Sequence, residues 1–303
     1  MKAYELLQQV KDLALYATTG RDSQILQRLN ITQFSLYDME FHWRTLEKYE
    51  DITTVAHQPY NSVPSDMGIL YDLRQMTVSP YAKVRYVHPY KLHDYVPQPT
   101  IYAENKPIYY TWFGGRLWWY PIPDAAYTMT AWYYAKPVQM QMYTTGTAVL
   151  TALALAGTLT VWKKSLNVAP SSLYFAYQAD VLSDGTYPWA QLATITDDTT
   201  ATLAAAYTGA SATGAYIISS DSSYSAEFDP YLIYSATILE CARNREMNQL
   251  AQMMTSERDK QLAGLMQNQM SLPDFTDGVQ DFAREPVLLG DDYAKFPFIQ
   301  GNP

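Results

Sequence analysis

The first fifty residues carry apolar positions at helical spacing. In the stretch AYELLQQVKDLALYATTG, which ends at Gly20, apolar side chains recur every three or four residues. They are Leu6, Val10, Leu13 and Ala17. A second helix is predicted to begin after an N-cap at Asp22 or Ser23 and to run to about Lys48. Its apolar face would consist of Ile25, Leu26, Leu29, Phe34, Leu36, Tyr37, Phe41 and Trp43.

From residue 51 onward the pattern changes to short β-branched and aromatic runs, broken by proline, asparagine, serine and glycine. Such runs are typical of strands joined by turns. The predicted strands are 51–56, 68–77, 83–90, 107–113, 116–121 and 126–135. Together with helices at both ends of the chain, they predict an α+β fold with an antiparallel β-sheet or sandwich.

The segment 109–137 is dense in tyrosine and tryptophan. Gly114-Gly115 separates two of its aromatic runs and favours a tight hairpin, because glycine accepts a positive φ. After PIPD, the run 127–134 alternates, with Tyr127, Met129, Ala131 and Tyr133 on one face. We predict a three-stranded meander with aromatic residues on both faces. One face can enter a core, and the other must contact another surface.

Residues 144–226 differ in composition from both sides, being rich in Thr, Ala, Ser and Gly and almost free of charge. They predict an inserted small β module with strands near 157–162, 171–177, 190–196, 199–205 and 214–218. The rest of the chain divides into a core of helices and antiparallel strands, formed by 1–143 plus 227–270, and an extended C-terminal arm, 271–303.

A long helix is predicted after the module. Asp229 and Pro230 supply an N-cap and a proline at the first helical position. If the helix continues to about Gln269, it is roughly 60 Å long at about 1.5 Å per residue, which is too long for one compact core. Residues 271–303 have no periodicity and are predicted to be an extended arm that orders on another surface.

Composition narrows the classes of function. The chain has 30 acidic and 21 basic residues, a net charge of -9, and no basic run, which argues against gripping nucleic acid by its phosphates. With one cysteine it forms no intrachain disulfide. The apolar stretches are too short for a bilayer span, so a soluble protein of the cytosol is expected. The 27 tyrosines and 17% charged residues favour protein contacts.

Candidate chemistry is sparse. His88 and His93, next to Asp94, lack the spacing of a metal site, and Cys241 lies in a helix with no basic group to activate it. The pair Asp197 and Asp198 could bind calcium or simply form a hairpin turn. Walker, nucleophile-elbow and dinucleotide motifs are absent from the sequence. We therefore predict no catalytic residues, no cofactor and no metal.

The aromatic meander has an alternative use as a sugar-binding platform, since aromatic faces stack on pyranose rings. In that case the protein would be a carbohydrate-binding tail-fibre or receptor-binding component. A glycosidase is a weaker alternative, because only Asp124 and Glu104 supply carboxylates near the aromatic residues.

The order of the elements resembles bacteriophage head-to-tail adaptor, or connector, proteins. The resemblance is carried by RLNITQFSLYDMEFHWRTLEKYEDITT, by VPSDM before Gly68, by GGRLWWYPIPDAAYTMTAWYYAKP, and by the helix that starts FDPYLIYSA. It covers roughly 20–137 and 227–268. Within the module, a strand pattern of phage neck and tail proteins is matched by Ile195, Thr200, Leu203, Tyr207, Thr208 and Gly209, with Asp197 or Asp198 in place of its valine.

This resemblance implies a structural protein without enzymatic activity, typically twelve copies in a ring beneath the portal. The ring would extend the DNA channel, with the DNA passing without specific binding, and offer a platform to the tail or nozzle. Its location would be the virion neck, after assembly in the host cytoplasm, with no membrane contact. The residues expected at the subunit or portal interface are Trp112, Trp118, Tyr120, Trp132, Tyr134, Phe282, Phe296 and Phe298.

Overall fold

A computed structural model describes residues 1–14, 20–39, 41–77, 82–95, 104–242 and 247–270. The predicted terminal arm, with Phe282, Phe296 and Phe298, lies outside these residues. The fold is mixed α+β with antiparallel sheets, as the sequence predicts. The helices are α1 (Ala3–Leu13), α2 (Asp22–Tyr37), α3 (Pro89–Tyr95), α4 (Trp162–Ser165), α5 (Asp229–Cys241) and α6 (Asn248–Met270).

The strands form three sheets. The first half of the chain contributes β1 (Glu47–Thr53), β2 (Tyr60–Ser62), β3 (Met67–Gln75), β4 (Ala82–Lys83), β5 (Arg85–Tyr86), β6 (Tyr109–Phe113), β7 (Arg116–Tyr120) and β8 (Thr128–Ala135). The second half contributes β9 (Met142–Tyr143), β10 (Thr147–Thr151), β11 (Ala154–Thr158), β12 (Leu173–Tyr177), β13 (Ala190–Ile195), β14 (Thr200–Leu203), β15 (Thr213–Gly214) and β16 (Tyr216–Ser220).

Helices α1, α2, α5 and α6 share one apolar core. Leu6 and Val10 of α1, Leu29 of α2 and Leu232 of α5 are fully buried in it. Leu265 of α6 is buried in the same cluster. Each helix therefore contributes an apolar stripe to a common layer, as amphipathic helices do when no sheet covers them.

The predicted second helix is too long. α2 ends at Tyr37, and β1 already begins at Glu47. Phe41 and Trp43, which the helical pattern included, lie in the connection instead. Trp43 is buried in the helical core, where its indole Nε1–H donates to the Leu36 carbonyl at 2.9 Å. Because the core buries Trp43 of the connection, an apolar residue stands at a position that also fits the helical spacing of α2, and the predicted helix was extended through it.

The single long C-terminal helix is also wrong. α5 ends at Cys241, α6 begins at Asn248, and the two helices pack against each other. Because Leu265 of α6 reaches the core that contains Leu232 of α5, the segment folds back and is not one rod of roughly 60 Å. At its start, α5 has a proline in its first turn, as predicted. The predicted N-cap at Asp229 is wrong by one residue: Phe228 is the N-cap, and the Asp229 carboxylate accepts the Met1 amino group at 2.8 Å.

Two four-stranded sheets pack face to face into a sandwich. One has the order β1-β8-β3-β4 and the other β2-β7-β6-β5. Between them lie the buried side chains of the β8 face predicted from alternation, Tyr127, Met129, Ala131 and Tyr133. They meet Trp119 of β7. This alternation is the period of two that a half-buried strand requires.

The predicted three-stranded meander is not one sheet. β6 and β7 form the expected hairpin, with Gly114 and Gly115 at φ 61° and 70°. β8, however, pairs with β1 and β3 in the opposite sheet. The segment Pro121–Asp124 carries the chain across the sandwich, since its prolines have no N–H to continue a ladder. The strand predicted at 83–90 is likewise shorter, because Val84 separates β4 from β5 and α3 begins at Pro89.

Residues 142–220 form an eight-stranded sheet in the order β15-β10-β11-β14-β13-β12-β16-β9. β15 and β16 are separated by Ala215 alone, yet they stand six places apart in this order. The sheet must therefore curve around its own core to bring these two strands together, and we call it the rolled sheet. The strand predicted at 157–162 is replaced by β11, which ends at Thr158, and by α4. β10 was not predicted.

Helix α1 connects the rolled sheet to the helical layer. The indole Nε1–H of Trp189 donates to Glu5 Oε1 at 2.8 Å. The backbone N–H of Tyr4 donates to Ser219 Oγ on β16 at 3.0 Å. These contacts fix the position of the rolled sheet relative to α1.

Candidate interaction surface

The outer face of the β6–β7 hairpin is covered at one end and open at the other. Strand alternation and register place Tyr109, Thr111, Phe113, Arg116, Trp118 and Tyr120 on this face. Near the hairpin base, Leu92 of α3 and Tyr120 are buried together. Toward the tip, Phe113 is 58% exposed. α3 therefore leaves only the tip half of the face available to a partner.

The open half holds a group of aromatic residues with one cation. The rings of Tyr60 and Trp118 lie 4.9 Å apart, and the Arg116 guanidinium lies 4.3 Å from the centre of the Tyr60 ring. The Trp118 indole N–H donates to the Phe113 carbonyl at 3.2 Å. We call these four residues the hairpin surface. Their mutual contacts hold the rings in place before any partner binds.

A second aromatic face lies on the opposite side of the sandwich, on the outside of β1, β8 and β3. Tyr49 is directly opposite Trp132, and it is 74% exposed. The rings of Tyr71 and Tyr134 lie 5.2 Å apart. The Arg74 guanidinium lies 5.5 Å from the Trp132 ring. We call these five residues the β8 surface.

Carboxylates surround the β8 surface. The Tyr134 hydroxyl donates to Glu47 Oε1 at 3.1 Å, and the Thr130 hydroxyl donates to Asp51 Oδ1 at 2.5 Å. Burial, together with the charge of Glu47, raises the pKa of Tyr134 above its usual range. The phenol therefore stays neutral and remains a hydrogen-bond donor at physiological pH. The surface combines apolar rings with negative charge, which suits contact with a basic protein surface.

Comparison with known families now identifies the chain. The family model described as SU10 adaptor protein matches residues 1–213. The chain belongs to the SU10 adaptor protein family. It is therefore a structural adaptor of a bacteriophage, a component of the virion neck. No curated protein matches it.

The family match spans most of the described architecture. It takes in α1, α2, both sheets of the sandwich, and the rolled sheet as far as Thr213. Helices α5 and α6 follow it. In the adaptor, both aromatic surfaces therefore lie within the matched region.

The interface residues predicted from the sequence do not form one patch in the adaptor. Trp118 belongs to the hairpin surface, whereas Trp132 and Tyr134 belong to the β8 surface. Trp112 is half-buried against the sandwich core, and Tyr120 is 3% exposed beneath α3. Their role at an interface stays a prediction, now divided between two faces.

Sequence reasoning missed six of the nine residues of these surfaces: Tyr49, Tyr60, Tyr71, Arg74, Phe113 and Arg116. Tyr49 lies in a stretch whose start was assigned to a helix, so its strand alternation was not recognised. Tyr60 is followed by Asn61, whose side-chain oxygen accepts the Trp119 indole N–H at 2.7 Å. This contact places β2 beside β7. Arg74 was hidden in a predicted strand. It pairs with Thr130, and its guanidinium reaches the Trp132 ring diagonally, so its contact depends on a strand pairing that the sequence did not predict.

The residues that the sequence analysis considered for metal binding or catalysis make structural contacts in the adaptor. His88 Nδ1 accepts the backbone N–H of Tyr90 at 3.3 Å, at the start of α3. Cys241 is fully buried, and burial raises the pKa of its thiol. Glu104 contacts His57, while Asp124 accepts the Tyr127 hydroxyl at 2.7 Å.

The pair Asp197 and Asp198 forms the hairpin turn that was one of its two interpretations. Asp197 Oδ1 accepts the backbone N–H groups of Thr199 and Thr200, each at 2.7 Å. The hydrogen bond from Thr199 and its neighbours lowers the pKa of Asp197 to about 2. Over the residues that the structure describes, no group of three or more His, Cys, Asp or Glu side chains could hold a metal.

The phage pattern within the rolled sheet corresponds to a packed corner. The Tyr207 hydroxyl donates to Asp180 Oδ2 at 2.9 Å, and it accepts the Tyr177 backbone N–H at 3.1 Å. A Cβ added at Gly209 would lie 2.4 Å from the Asp180 carboxylate and the Tyr207 ring. Tyr207 and Gly209 of the pattern therefore fix a turn.

A shallow cleft lies where the helical layer meets the β8 surface. It is lined by Tyr37, Phe41, His42, Trp43, Leu46, Ile69 and Tyr134. The His42 and Tyr134 rings lie 5.0 Å apart at its wall. Among the described helices, none is long and apolar enough to cross a membrane.

Proposed function

We propose that the adaptor assembles as a ring, typically of twelve copies, between the portal and the tail or nozzle. In this arrangement it extends the DNA channel and serves as the tail-attachment platform. It has no enzymatic activity and needs no cofactor. Family membership supports the adaptor role, while the ring and its partners are our inference.

The observation that carries the proposal is the presence of two aromatic surfaces on opposite sides of one sandwich. A subunit in a closed ring has two different lateral neighbours, and each contact joins unlike patches. The hairpin surface and the β8 surface meet this requirement because they are unlike patches. The first contains Arg116 against the Tyr60 ring, whereas in the second Arg74 is paired with Asp72, and Glu47 and Asp51 add negative charge.

The overall charge also supports the channel role. A net charge of -9 disfavours contact with phosphates, so DNA can slide past without binding. We expect at least part of the acidic surface to face the lumen. Genomic DNA would then be a passenger and not a ligand.

We also propose that residues 144–226 form an inserted module on a core made of 1–143 and 227–270. The rolled sheet supports this division because it has its own apolar cluster, which includes Trp162, Phe175 and Tyr216. The Trp162 indole N–H donates to the Tyr216 hydroxyl at 2.6 Å inside that cluster. Such an internal core is what an independent folding unit requires.

A carbohydrate-binding role remains the second candidate, because the hairpin surface exposes part of Trp118 beside Tyr60. Aromatic faces of this kind stack on sugar rings. In that role the protein would act as a tail-fibre or receptor-binding component, and Trp118→Ala would abolish glycan binding while leaving assembly unchanged.

The deciding experiment is mass photometry and negative-stain imaging of the purified chain, alone and mixed with portal-bearing capsids of the same phage. Rings, or a defined density added at the portal vertex, support the adaptor ring. A chain that stays monomeric or trimeric and ignores capsids contradicts it. A glycan array on the same preparation then tests the second candidate, with Trp118→Ala as its matched control.

A further inference from the structure

Strand β1 carries two exposed carboxylates on the outer face of its sheet. Glu47 and Asp51 stand two residues before and two residues after Tyr49, so all three side chains share this face. The hydrogen bonds that the two carboxylates accept come from neutral hydroxyls, those of Tyr134 and Thr130. Within the part of the chain that the structure describes, neither carboxylate forms an ion pair. The exposed Tyr49 ring therefore lies between two negative charges that have no cationic partner.

The cations on the same face are already paired elsewhere. Arg74 Nε lies 2.7 Å from Asp72 Oδ2, and Lys83 Nζ lies 3.8 Å from Asp72 Oδ1. Lys83 stands opposite Arg74 in the register of β3 and β4, at the far side of the sheet from β1. The negative charge of this face is therefore concentrated on β1.

The hairpin surface has the opposite charge. Arg116 is exposed at the start of β7, and its guanidinium lies 4.3 Å from the centre of the Tyr60 ring. Among the described residues, no carboxylate forms an ion pair with this guanidinium. The contact with Tyr60, which itself packs on Trp118, holds the cation in position before a partner binds. One surface therefore presents a cation beside aromatic rings, and the other presents an aromatic ring between anions.

The positions of the two surfaces allow copies of the chain to join in series. The surfaces lie on the outer faces of the two sheets, on opposite sides of one sandwich. Copies in the same orientation bring the hairpin surface of one against the β8 surface of the next, at about the 10 Å spacing of packed sheets. Such a contact joins unlike patches, leaves both surfaces of the pair used only once, and can close into a ring.

Other occupants of the β8 surface fit its charge poorly. Two β8 surfaces in contact would bring Glu47 and Asp51 of both copies together, and two hairpin surfaces would bring Arg116 against Arg116. Like charges facing each other across an interface destabilise it. Residues 271–303 contain six acidic and two basic residues, so the carboxylates of β1 repel them as well. The occupant that the charges favour is the hairpin surface of a second copy.

We propose that the Arg116 guanidinium of one copy binds over the Tyr49 ring of the next copy, between Glu47 and Asp51. This inference rests on the proposed ring and names the residues by which its subunits recognise each other. A guanidinium combines a cation with a planar face, so it stacks on a ring and pairs with a carboxylate at the same time. Arginine and tyrosine are also the residue types that most often dominate the affinity of an interface.

The shape of the arginine side chain provides the first test. Arg116→Ala removes the cation and its planar face, so we expect ring assembly to weaken by about tenfold or more. Arg116→Lys keeps the charge and loses the planar fork, so it should weaken assembly less than alanine does. The matched control is Lys260→Ala on α6, an exposed cation far along the chain from both surfaces, which should assemble as wild type does. All three variants should melt close to wild type because both positions are exposed.

Charge exchange tests the partner. Arg116→Glu alone, or Glu47→Lys together with Asp51→Lys, should each weaken assembly by about tenfold or more. All three substitutions in one chain should restore assembly, because the exchanged charges attract each other again across the contact. Lys260→Glu makes the same change in net charge as Arg116→Glu and should have little effect. Assembly is measured by mass photometry, alone and with portal-bearing capsids, and circular dichroism checks that each variant is folded.

The outcomes distinguish this inference from the proposed function. Wild-type rings together with equally good rings from either charge variant, or a folded threefold variant without recovery, overturn the pairing and leave the ring intact. Lysine variants of β1 that form rings but no longer bind capsids also overturn it, since the portal would then be the partner of the β8 surface. A wild-type chain that neither assembles nor binds capsids overturns both proposals. Loss in each charge variant with recovery in the threefold variant supports the pairing.

Discussion

Asn30 and Met140 exchange two hydrogen bonds across the molecule. Asn30 Nδ2 donates to the Met140 carbonyl at 3.0 Å, and the Met140 N–H donates to Asn30 Oδ1 at 2.7 Å. One turn further along α2, Gln33 Nε2 donates to the Val138 carbonyl at 2.7 Å. A helix thereby acts as the strand partner of the segment that leads from the sandwich to the rolled sheet, and satisfies its buried backbone groups.

Replacing Asn30 by alanine should lower the free energy of unfolding by about 2–4 kcal/mol, since two hydrogen bonds are lost and the Met140 backbone is left buried without partners. Urea denaturation monitored by tryptophan fluorescence measures the change. Gln27→Ala on the exposed side of the same helix is the control, and we expect a change within about 0.5 kcal/mol. Equal effects of the two substitutions would contradict this role of Asn30.

Glu240 is fully buried and forms ion pairs with two arginines. Its Oε2 lies 2.5 Å from Arg28 Nη1, and its Oε1 lies 2.8 Å from Arg21 Nη1. Glu240→Gln leaves the Arg28 charge without compensation, so we expect a loss of about 3–5 kcal/mol in the free energy of unfolding.

A control for Glu240 is the exposed pair on α6. Glu257→Gln breaks a surface pair with Lys260 and should cost less than about 1 kcal/mol. Combining Glu240→Leu with Arg28→Met should recover much of the loss, because no buried charge is then left over. A double variant as unstable as Glu240→Gln would argue that packing, and not charge, explains the effect.

Asp180 makes the stability of the rolled sheet depend on pH. Burial alone would raise its pKa, but hydrogen bonds from Ser211 and the Tyr207 hydroxyl outweigh burial and lower it. The pKa of Asp180 is lower in the folded protein than in the unfolded chain, where it is about 4. The ionised carboxylate therefore contributes its full stabilisation of the fold above about pH 4. This contribution is lost as the pH falls through the pKa of the folded state.

We therefore expect Asp180→Ala to be less stable than wild type at pH 7, with the difference shrinking between about pH 4 and pH 2. Urea unfolding at several pH values measures it. Asp12→Ala, an exposed position on α1, should have a small effect at every pH. A difference for Asp180→Ala that does not change with pH would show that its carboxylate contributes through shape and not through charge.

The two aromatic surfaces predict a separation of stability from assembly. Trp118→Ala and Trp132→Ala should each weaken ring formation in mass photometry while the monomer melts close to wild type. Trp119→Ala should instead lower the free energy of unfolding by about 3–5 kcal/mol, because Trp119 is 2% exposed in the sandwich core. Normal assembly of both surface variants would rule these faces out as contacts.

The sequence predicted correctly those features that depend on one turn or one strand alone. Gly114 and Gly115 predicted the hairpin, and the alternation of Tyr127–Tyr134 predicted which side chains enter the core. Both depend on geometry within a few residues. The composition of 144–226 likewise predicted separate β-structure, although β10 was missed because an alanine- and leucine-rich run fits a strand and a helix equally well.

The sequence did not predict which strands pair with each other when they lie far apart in the chain. β8 follows β7 closely, yet it crosses to the opposite sheet, and neighbouring runs of aromatic residues carry no signal for that choice. Trp43 fits helical spacing but serves the core from a connection. The sequence placed aromatic residues on both faces of one meander, whereas the fold puts Trp118 in the hairpin surface and Trp132 and Tyr134 in the β8 surface of the opposite sheet.

The chain enters the rolled sheet at β9 and leaves it at β16, and these two strands are hydrogen-bonded neighbours. At this point the Gln141 carbonyl accepts the Ser220 N–H at 3.0 Å. Everything between the two strands therefore starts and ends at the same place on the helical layer. Related phages could therefore lengthen, shorten or exchange this segment during evolution without moving the helices and the sandwich that carry it.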